Sequence, residues 1–227
     1  MQNRMMDLPV VQKNVLEAMR TKQKPLTGKL KELEERAHEE RIPIIPHETV
    51  VFLQFLLTQV KPKRILEIGT AIGFSASLMA ECLPEDGQVV TIDRFDVMIN
   101  KAKHTFKQMD NEDKITLLEG QASDILPEIK EMYDFIFLDC AKSKYIEFLP
   151  ICLEHLRVGG VIMIDDVFQG GTVFEPIESI HRSQRAIHRK LNELFDKTLN
   201  HPDLTASLLP LGDGVLLLTK LQEDIVL

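Results

Sequence analysis

The chain has no tryptophan, two tyrosines and three cysteines among its 227 residues. No run of aromatics suggests a stacking platform of the kind that grips single-stranded nucleic acid base by base. Cys82, Cys140 and Cys152 are odd in number and irregular in spacing, which points to neither a disulfide framework nor a zinc site. They read as reduced core thiols of a cytoplasmic protein. No apolar run approaches the roughly 20 residues that span a bilayer. The opening MQNRMMDLPVVQKNV has no long apolar core and no small-residue cleavage site, so neither a membrane partner nor a secretory signal is expected. Positive charge is in deficit: 27 Lys and Arg against 35 Asp and Glu give a net charge of -8. That argues against general coating of nucleic acid but leaves room for a local basic patch. Repeats and low-complexity segments are also missing.

What is present fits a single domain, 1–227, with a helical cap over 1–60 and an α/β core over 61–227. Helical patterns run over 11–21, 29–40 and 48–60, with Leu30, Leu33 and Ala37 on one face of the second. Pro43 and Pro46 interrupt the chain between the second and third. Strands at 64–68, 88–92, 115–119, 133–138 and 161–164 then alternate with helices at 75–83, 96–108, 123–130 and 146–156. Such alternation predicts a Rossmann-like α/β fold, a mostly parallel sheet with helices on both faces. A long polar helix is expected over 175–200. Two apolar runs, 204–209 and 215–219, flank Pro210 to Gly214 and predict an antiparallel hairpin that closes the sheet.

The most informative stretch is ILEIGTAIGFS, from Ile65 to Ser75: a buried strand, a glycine turn and a helix start. Gly69 and Gly73 permit close backbone approach and unusual φ. Their Gly-x-x-x-Gly spacing is neither the dinucleotide fingerprint nor a P-loop, and glycines alone also serve an ordinary βα turn. Glu67 just before the turn is a poor neighbour for pyrophosphate and a good one for a cationic ligand. That favours S-adenosylmethionine, which carries an ammonium and a sulfonium and no phosphate. Asp93, ending the second strand, is placed to accept ribose hydroxyls. Gly120, Gln121 and Ala122 follow the third strand and are expected to flank the adenine.

Asp139, Asp165 and Asp166 end two further apolar strands, and open α/β sheets bind ligands at the carboxyl ends of their strands. Clustered carboxylates repel unless a cation or protons neutralise them. Oxygen-only ligands favour a hard ion: Mg²⁺, Mn²⁺ or Ca²⁺. The competing role for such an acid is to cap the next helix. Lys142 lies three residues after Asp139, either a surface lysine or a base beside the ion.

LEIGTAIGFS, TIDR, FIFLDCAKSKY and GGVIMIDDV together resemble the metal-dependent O-methyltransferases of the catechol and caffeoyl-CoA type. The resemblance runs from about Arg41 to Lys220. RIPI, the basic stretch after the second carboxylate strand and NHPDLTASLLPLGDGVLL are more narrowly similar to the bacterial tRNA 5-hydroxyuridine methyltransferases, which methylate the 5-hydroxyl of a wobble uridine. The resemblance implies that Glu67, Gly69, Ser75, Asp93 and Ala122 line the S-adenosylmethionine pocket. It implies that Asp139, Asp165 and Asp166 ligate the metal and that Lys142 is the general base. It further implies a homodimer. The chain departs from the family at Asp166, where Asn is usual, and at Gln121, often Asp or Pro.

The acceptor is read from His181 to Lys190, basic in an acidic chain. Arg182, Arg185 and Arg189 are three and four apart, so they share a face of the expected helix. With Lys190 they are positioned to hold tRNA phosphates. The plainer reading is a solvated face paired with Glu178 and Glu193. Further positives at Arg20, Lys22, Lys24, Lys29 and Lys31 extend the patch or simply cover the surface. Tyr145 either stacks on a base or packs in the core. A small catechol is the alternative acceptor, and a non-catalytic binding protein on the same fold is the alternative of another class.

Overall fold

Apolar strands that must bury both faces dictate the architecture. In the computed structural model, which describes residues 11–227, five of them run parallel: β1 (Arg64–Ile68), β2 (Gln88–Asp93), β3 (Ile115–Glu119), β4 (Tyr133–Leu138) and β5 (Leu156–Ile164). β6 (Leu204–Leu209) and β7 (Val215–Lys220) join at one edge as the antiparallel hairpin. The spatial order is β3-β2-β1-β4-β5-β7-β6. The chain winds outward from β1 to β3, then returns to β4 on β1's other side. The crevice between β1 and β4 is the topological switch point, where such sheets bind ligands.

Alternate residues supply two cores. Ile65, Phe135, Phe137 and Met163 face one side, and Leu66, Ile136, Leu138 and Ile164 the other. The first side is covered by α2 (Gly28–Glu39), α3 (His47–Val60), α4 (Phe74–Cys82) and α5 (Asp96–Met109), and the second by α6 (Ala122–Ile125), α7 (Tyr145–His155) and α8 (Arg185–Thr198). α1 (Lys13–Lys22) packs on α3, where Arg20 donates to both oxygens of the buried Glu48 at 2.8 and 2.9 Å. Among the described residues no helix is long and apolar enough to cross a membrane.

The register positions the site. Ile68 lies beside Ile92 and Leu138, and Leu138 beside Ile164. The next residue of each strand therefore falls in one row at the carboxyl edge: Gly69, Asp93, Asp139, Asp165. The ladder continues through that row, with Gly69 N donating to Ile92 O, Asp139 N to Ile68 O and Asp165 N to Leu138 O, each at 3.0 Å. Ile164 also pairs with Leu216 of antiparallel β7, so the hairpin turn at Pro210–Gly214 arrives at the same edge.

Two expected helices differ. The one over 123–130 is only α6 and a 3-10 turn at Leu126–Glu128, because Pro127 offers no N–H to carry the helix on. The one over 175–200 begins ten residues late, at Arg185. The Arg185 guanidinium turns back onto Ile180 O at 2.9 Å and Glu178 O at 3.2 Å, so it ties down the preceding turns. β5 also starts earlier than expected, at Leu156.

Candidate active site

The β1–β2 side of the row is closed and hydrogen-bonded. Gly69 has φ 109, and a Cβ there would lie 1.9 Å from the Asp139 carbonyl oxygen. No other residue lets the ends of β1 and β4 approach so closely. The turn beyond it is pinned by Asp93, whose Oδ2 accepts from Ala71 N and whose Oδ1 accepts from Phe95 N, both at 2.9 Å. Gly73, at φ 81, sits against the Phe106 ring and opens α4.

Glu67 and Ser75, both read as lining the cofactor pocket, are hydrogen-bonded to each other. Glu67 is fully buried, and its carboxylate accepts from Ser75 Oγ and from Thr91 Oγ1, both at 2.5 Å. Thr91 is its register neighbour on β2. Burial pushes the Glu67 carboxyl from the usual 4.5 up to about 7, against the pull of the two hydroxyls. Glu67 thus braces the strand-to-turn junction from beneath. At the far end Gln121 accepts from Arg94 Nη1 at 3.3 Å, and the Arg94 guanidinium lies 4.6 Å from the Phe95 ring centre. Ala122 opens α6 beside them.

The β4–β5 side is different in kind. Burial, with Asp166 adding, pushes the Asp139 carboxyl to about 7, and Lys142 opposes that rise. Asp165, buried, is pushed well above its ordinary range by burial and then by Asp139 and Asp166. Asp166 is raised chiefly by burial. It also has φ 58, and Gln169, Gly170 and Gly171 that follow have φ 52, 65 and 83. Two non-glycine residues in left-handed conformation within one short loop are strain of the sort that collects at functional sites. Tyr145 is fully buried and its hydroxyl has no partner among the described residues, so it packs and does not stack on a base.

The donor set suits a hard cation in chemistry: buried, all oxygen, and carrying more negative charge than the single Lys142 offsets. It is not assembled as a ligand group, however. Among the described residues no three acids, histidines or cysteines are arranged to hold a metal ion.

Lys142 belongs to this cluster and not to the open surface. Its Nζ lies 2.7 Å from Asp213 Oδ2 and 3.6 Å from Asp166 Oδ2. The other oxygen of Asp213 accepts from Gly170 N at 2.5 Å. Asp213 is the residue that reasoning from the sequence missed. The signal was available, because an antiparallel β7 beside β5 must bring its preceding turn to the carboxyl edge.

The basic stretch is only partly free. Arg182 lies in a 3-10 turn before α8, Arg185 is occupied by carbonyls, and Lys190 pairs with Glu193 at 3.6 Å. Arg182 and Arg189 remain exposed. Of the additional positives, Lys29 pairs with Asp110, and Lys31 lies 3.5 Å from Glu35. A surface cleft of about 470 Å³ lies between α2 and α5 and touches the glycine turn only through Ile72. Its Lys101 is paired with Glu40 at 2.5 Å, and its Arg36 donates to Gln108 at 2.7 Å.

The O-methyltransferase family profile matches residues 19–221. Probable caffeoyl-CoA O-methyltransferase 2 of Dictyostelium discoideum is 32% identical over 188 residues, 81% of this chain and 80% of that protein. Tapetum-specific methyltransferase 1 of Arabidopsis thaliana is 30% identical over 182 residues, 78% of each chain. The SAH-bound methyltransferase PaMTH1 of Podospora anserina superposes with a TM-score of 0.81 at 25% identity, covering 92% of this chain and 94% of that one. The strand-end row, the switch-point crevice and this likeness along most of the chain agree: the chain belongs to the O-methyltransferase family, of the S-adenosylmethionine-dependent caffeoyl-CoA type.

Proposed function

We propose that this protein transfers a methyl group from S-adenosylmethionine to a hydroxyl standing beside a second oxygen, and that its acceptor is the 5-hydroxyl of 5-hydroxyuridine at the tRNA wobble position, giving 5-methoxyuridine. The observation that carries the chemistry is the single row Gly69, Asp93, Asp139, Asp165, with Lys142 against its acidic end.

The cofactor, when bound, supplies an electrophilic methyl. Asp93 keeps lone pairs for ribose hydroxyls, while two backbone N–H groups fix its orientation. Gln121 and Ala122 flank the adenine, and Glu67 holds Ser75 and Thr91 so that the turn keeps its shape. Asp139, Asp165 and Asp166 are the residues that would hold a divalent cation, Mg²⁺ or else Mn²⁺ or Ca²⁺; bound there, it would supply Lewis-acid stabilisation of the acceptor oxygen's negative charge. Lys142 receives the hydroxyl proton at Nζ. Holding donor and acceptor at attack distance then supplies much of the acceleration.

The tRNA reading rests on position. α8 packs against the Lys142–Lys144 turn, so the exposed Arg189 stands on an element that adjoins the base, and Arg182 lies in the turn that leads into it. Those cations suit a phosphate backbone and have no use for a free catechol. The small-catechol reading is favoured by the relatives named for caffeoyl-CoA. A homodimer in the cytoplasm remains part of the proposal. Labelled methyl transfer with Mg²⁺ separates the acceptors, using tRNA bearing 5-hydroxyuridine and a simple catechol, each with and without chelator. Chelator-sensitive labelling of the tRNA alone is expected, and labelling of the catechol alone would overturn the tRNA reading.

A further inference from the structure

We propose that Asp213 is the positioning residue for Lys142, and that it ties the location of Nζ to the strained loop after β5. The inference rests on the reading of Lys142 as proton acceptor. One carboxylate serves two clients: Oδ2 meets Lys142 Nζ at 2.7 Å, and Oδ1 accepts from Gly170 N at 2.5 Å. Asp166, at 3.6 Å, is the more distant partner of the ammonium.

Asp213 is well suited to fix something else because it is itself fixed. Phe168 N donates to its carbonyl at 2.7 Å, Val167 N to Gly214 O at 3.0 Å, and Gly214 N to Leu211 O at 2.8 Å. The Phe168 ring occupies the place of a Cβ on Gly214, 2.2 Å away, and Pro46 and Thr49 at the start of α3 close on Gly212. The turn is therefore locked to α3, to the loop after β5 and to β7. Lys142, by contrast, sits in a 3-10 turn on a four-carbon arm. A flexible amine has many rotamers, and a carboxylate on a locked turn selects one of them.

The arrangement has a further consequence. Gly170 lies four residues past Asp166, so the oxygen that holds its N–H also holds the left-handed turn that aims the Asp166 carboxylate. Base and carboxylates are then referred to one anchor, and a shift in that anchor misplaces both. A misplacement of about 1 Å costs on the order of 100-fold in rate.

The test uses the full-length protein and Asp213→Asn, which keeps the shape and the acceptor for Gly170 N but removes the charge. The first readout is independent of turnover. Lysines are labelled by reductive methylation at fixed pH, and the rate at Lys142 is read by peptide mass spectrometry. Lys142 should label about 10-fold faster in the variant while other lysines hold their rates, as expected for an amine released from a charge-assisted bond. An unchanged Lys142 rate would overturn the proposal. The second readout is kinetic: kcat should fall about 100-fold with the KM for S-adenosylmethionine unchanged, and Asp213→Asn should cost nothing further in a Lys142→Met background. Additive losses would instead mark Asp213 as a general structural residue. Should Asp213→Asn fail to fold, Asp213→Glu, which keeps the charge on a longer arm, must still hold Lys142 against labelling while lowering kcat. If the wild type methylates no acceptor, the activity reading falls, while the labelling result still decides the positioning.

Discussion

The two sides of the strand-end row are built on opposite principles. On the β1–β2 side every carboxylate oxygen already has a partner: Glu67 has two hydroxyls and Asp93 has two backbone N–H groups. On the β4–β5 side burial raises the proton affinity of all three acids, with Asp166 adding to the rise of Asp139 and both adding to that of Asp165; one lysine is shared, the loop is strained, and the buried Tyr145 hydroxyl and Gln169 amide oxygen have no partner among the described residues. Unpaired buried polar groups are costly and persist where function requires them. The contrast separates a preformed ligand cradle from a region whose charge is left to be completed by what it binds.

The seam between the two is Gly69, and breaking it should have the largest effect. Gly69→Ala places a methyl 1.9 Å from the Asp139 carbonyl, and a backbone oxygen in a paired sheet cannot move aside. A loss of about 5 kcal/mol in unfolding free energy is expected, the exceptional end of single-site effects. Gly171 is the control, since its φ is also positive but a Cβ there meets nothing within 4 Å. Gly171→Ala should cost about 1 kcal/mol, the left-handed penalty alone. Comparable losses in urea titrations of the two variants would mean that the seam is not a close contact.

Removing the amine tests the acidic side without touching the cradle. Lys142→Met should lower kcat about 1,000-fold, within the range of a lost general base and equal to about 4 kcal/mol. Its affinity for S-adenosylhomocysteine by calorimetry should match the wild type. A parallel loss of affinity would show that the two sides are not separable.

These differences were unequally visible in the sequence. Strands were legible because apolar runs bounded by turn residues have little choice, and β1, β3, β4 and β6 fall where the pattern placed them. The acids of the site were legible too, since each ends such a run. Asp213 was not, because a turn acid beside glycines reads equally well as ordinary turn chemistry, and only the pairing of β7 with β5 shows where it goes. Arg185 misled for a related reason. Its spacing to Arg182 and Arg189 suits a helix face, yet spacing carries no information about Ile180 O, which claims its guanidinium. The inward turn of Glu67 depends on its register opposite Thr91, which strand assignment alone does not specify.

The closed side makes its own prediction through pH. The Glu67 carboxyl is raised from 4.5 to about 7, so between those values the folded state keeps a proton that the unfolded chain has lost. Its contribution to stability is then fully present below pH 4.5, declines as pH rises, and is gone above about 7. The span is worth about 3 kcal/mol at 1.36 per unit. Glu67→Gln removes that slope. Taken as a difference from the wild type, so that Asp139 cancels, the variant should gain about 3 kcal/mol between the acid and neutral ends of the window. Identical stability profiles would mean that Glu67 ionises in the folded protein as freely as on a surface.

The smallest effect concerns what lies outside the row. Arg182 and Arg189 are the exposed cations of the basic stretch, whereas Arg185 and Lys190 are engaged. If a tRNA backbone rests there, Arg182→Glu with Arg189→Glu should weaken tRNA binding about 10-fold. The dependence of log affinity on log salt should become shallower by about 0.9 for each phosphate that is no longer neutralised. Affinity for S-adenosylhomocysteine should be unchanged, because neither side chain is bonded to the strand-end row. Arg185→Ala should behave differently, loosening the turns before α8 by removing its bonds to their carbonyls and leaving the salt slope alone. A double variant that binds tRNA with wild-type affinity and slope would reduce the stretch to a solvated face and leave the acceptor to be chosen by the carboxylate side alone.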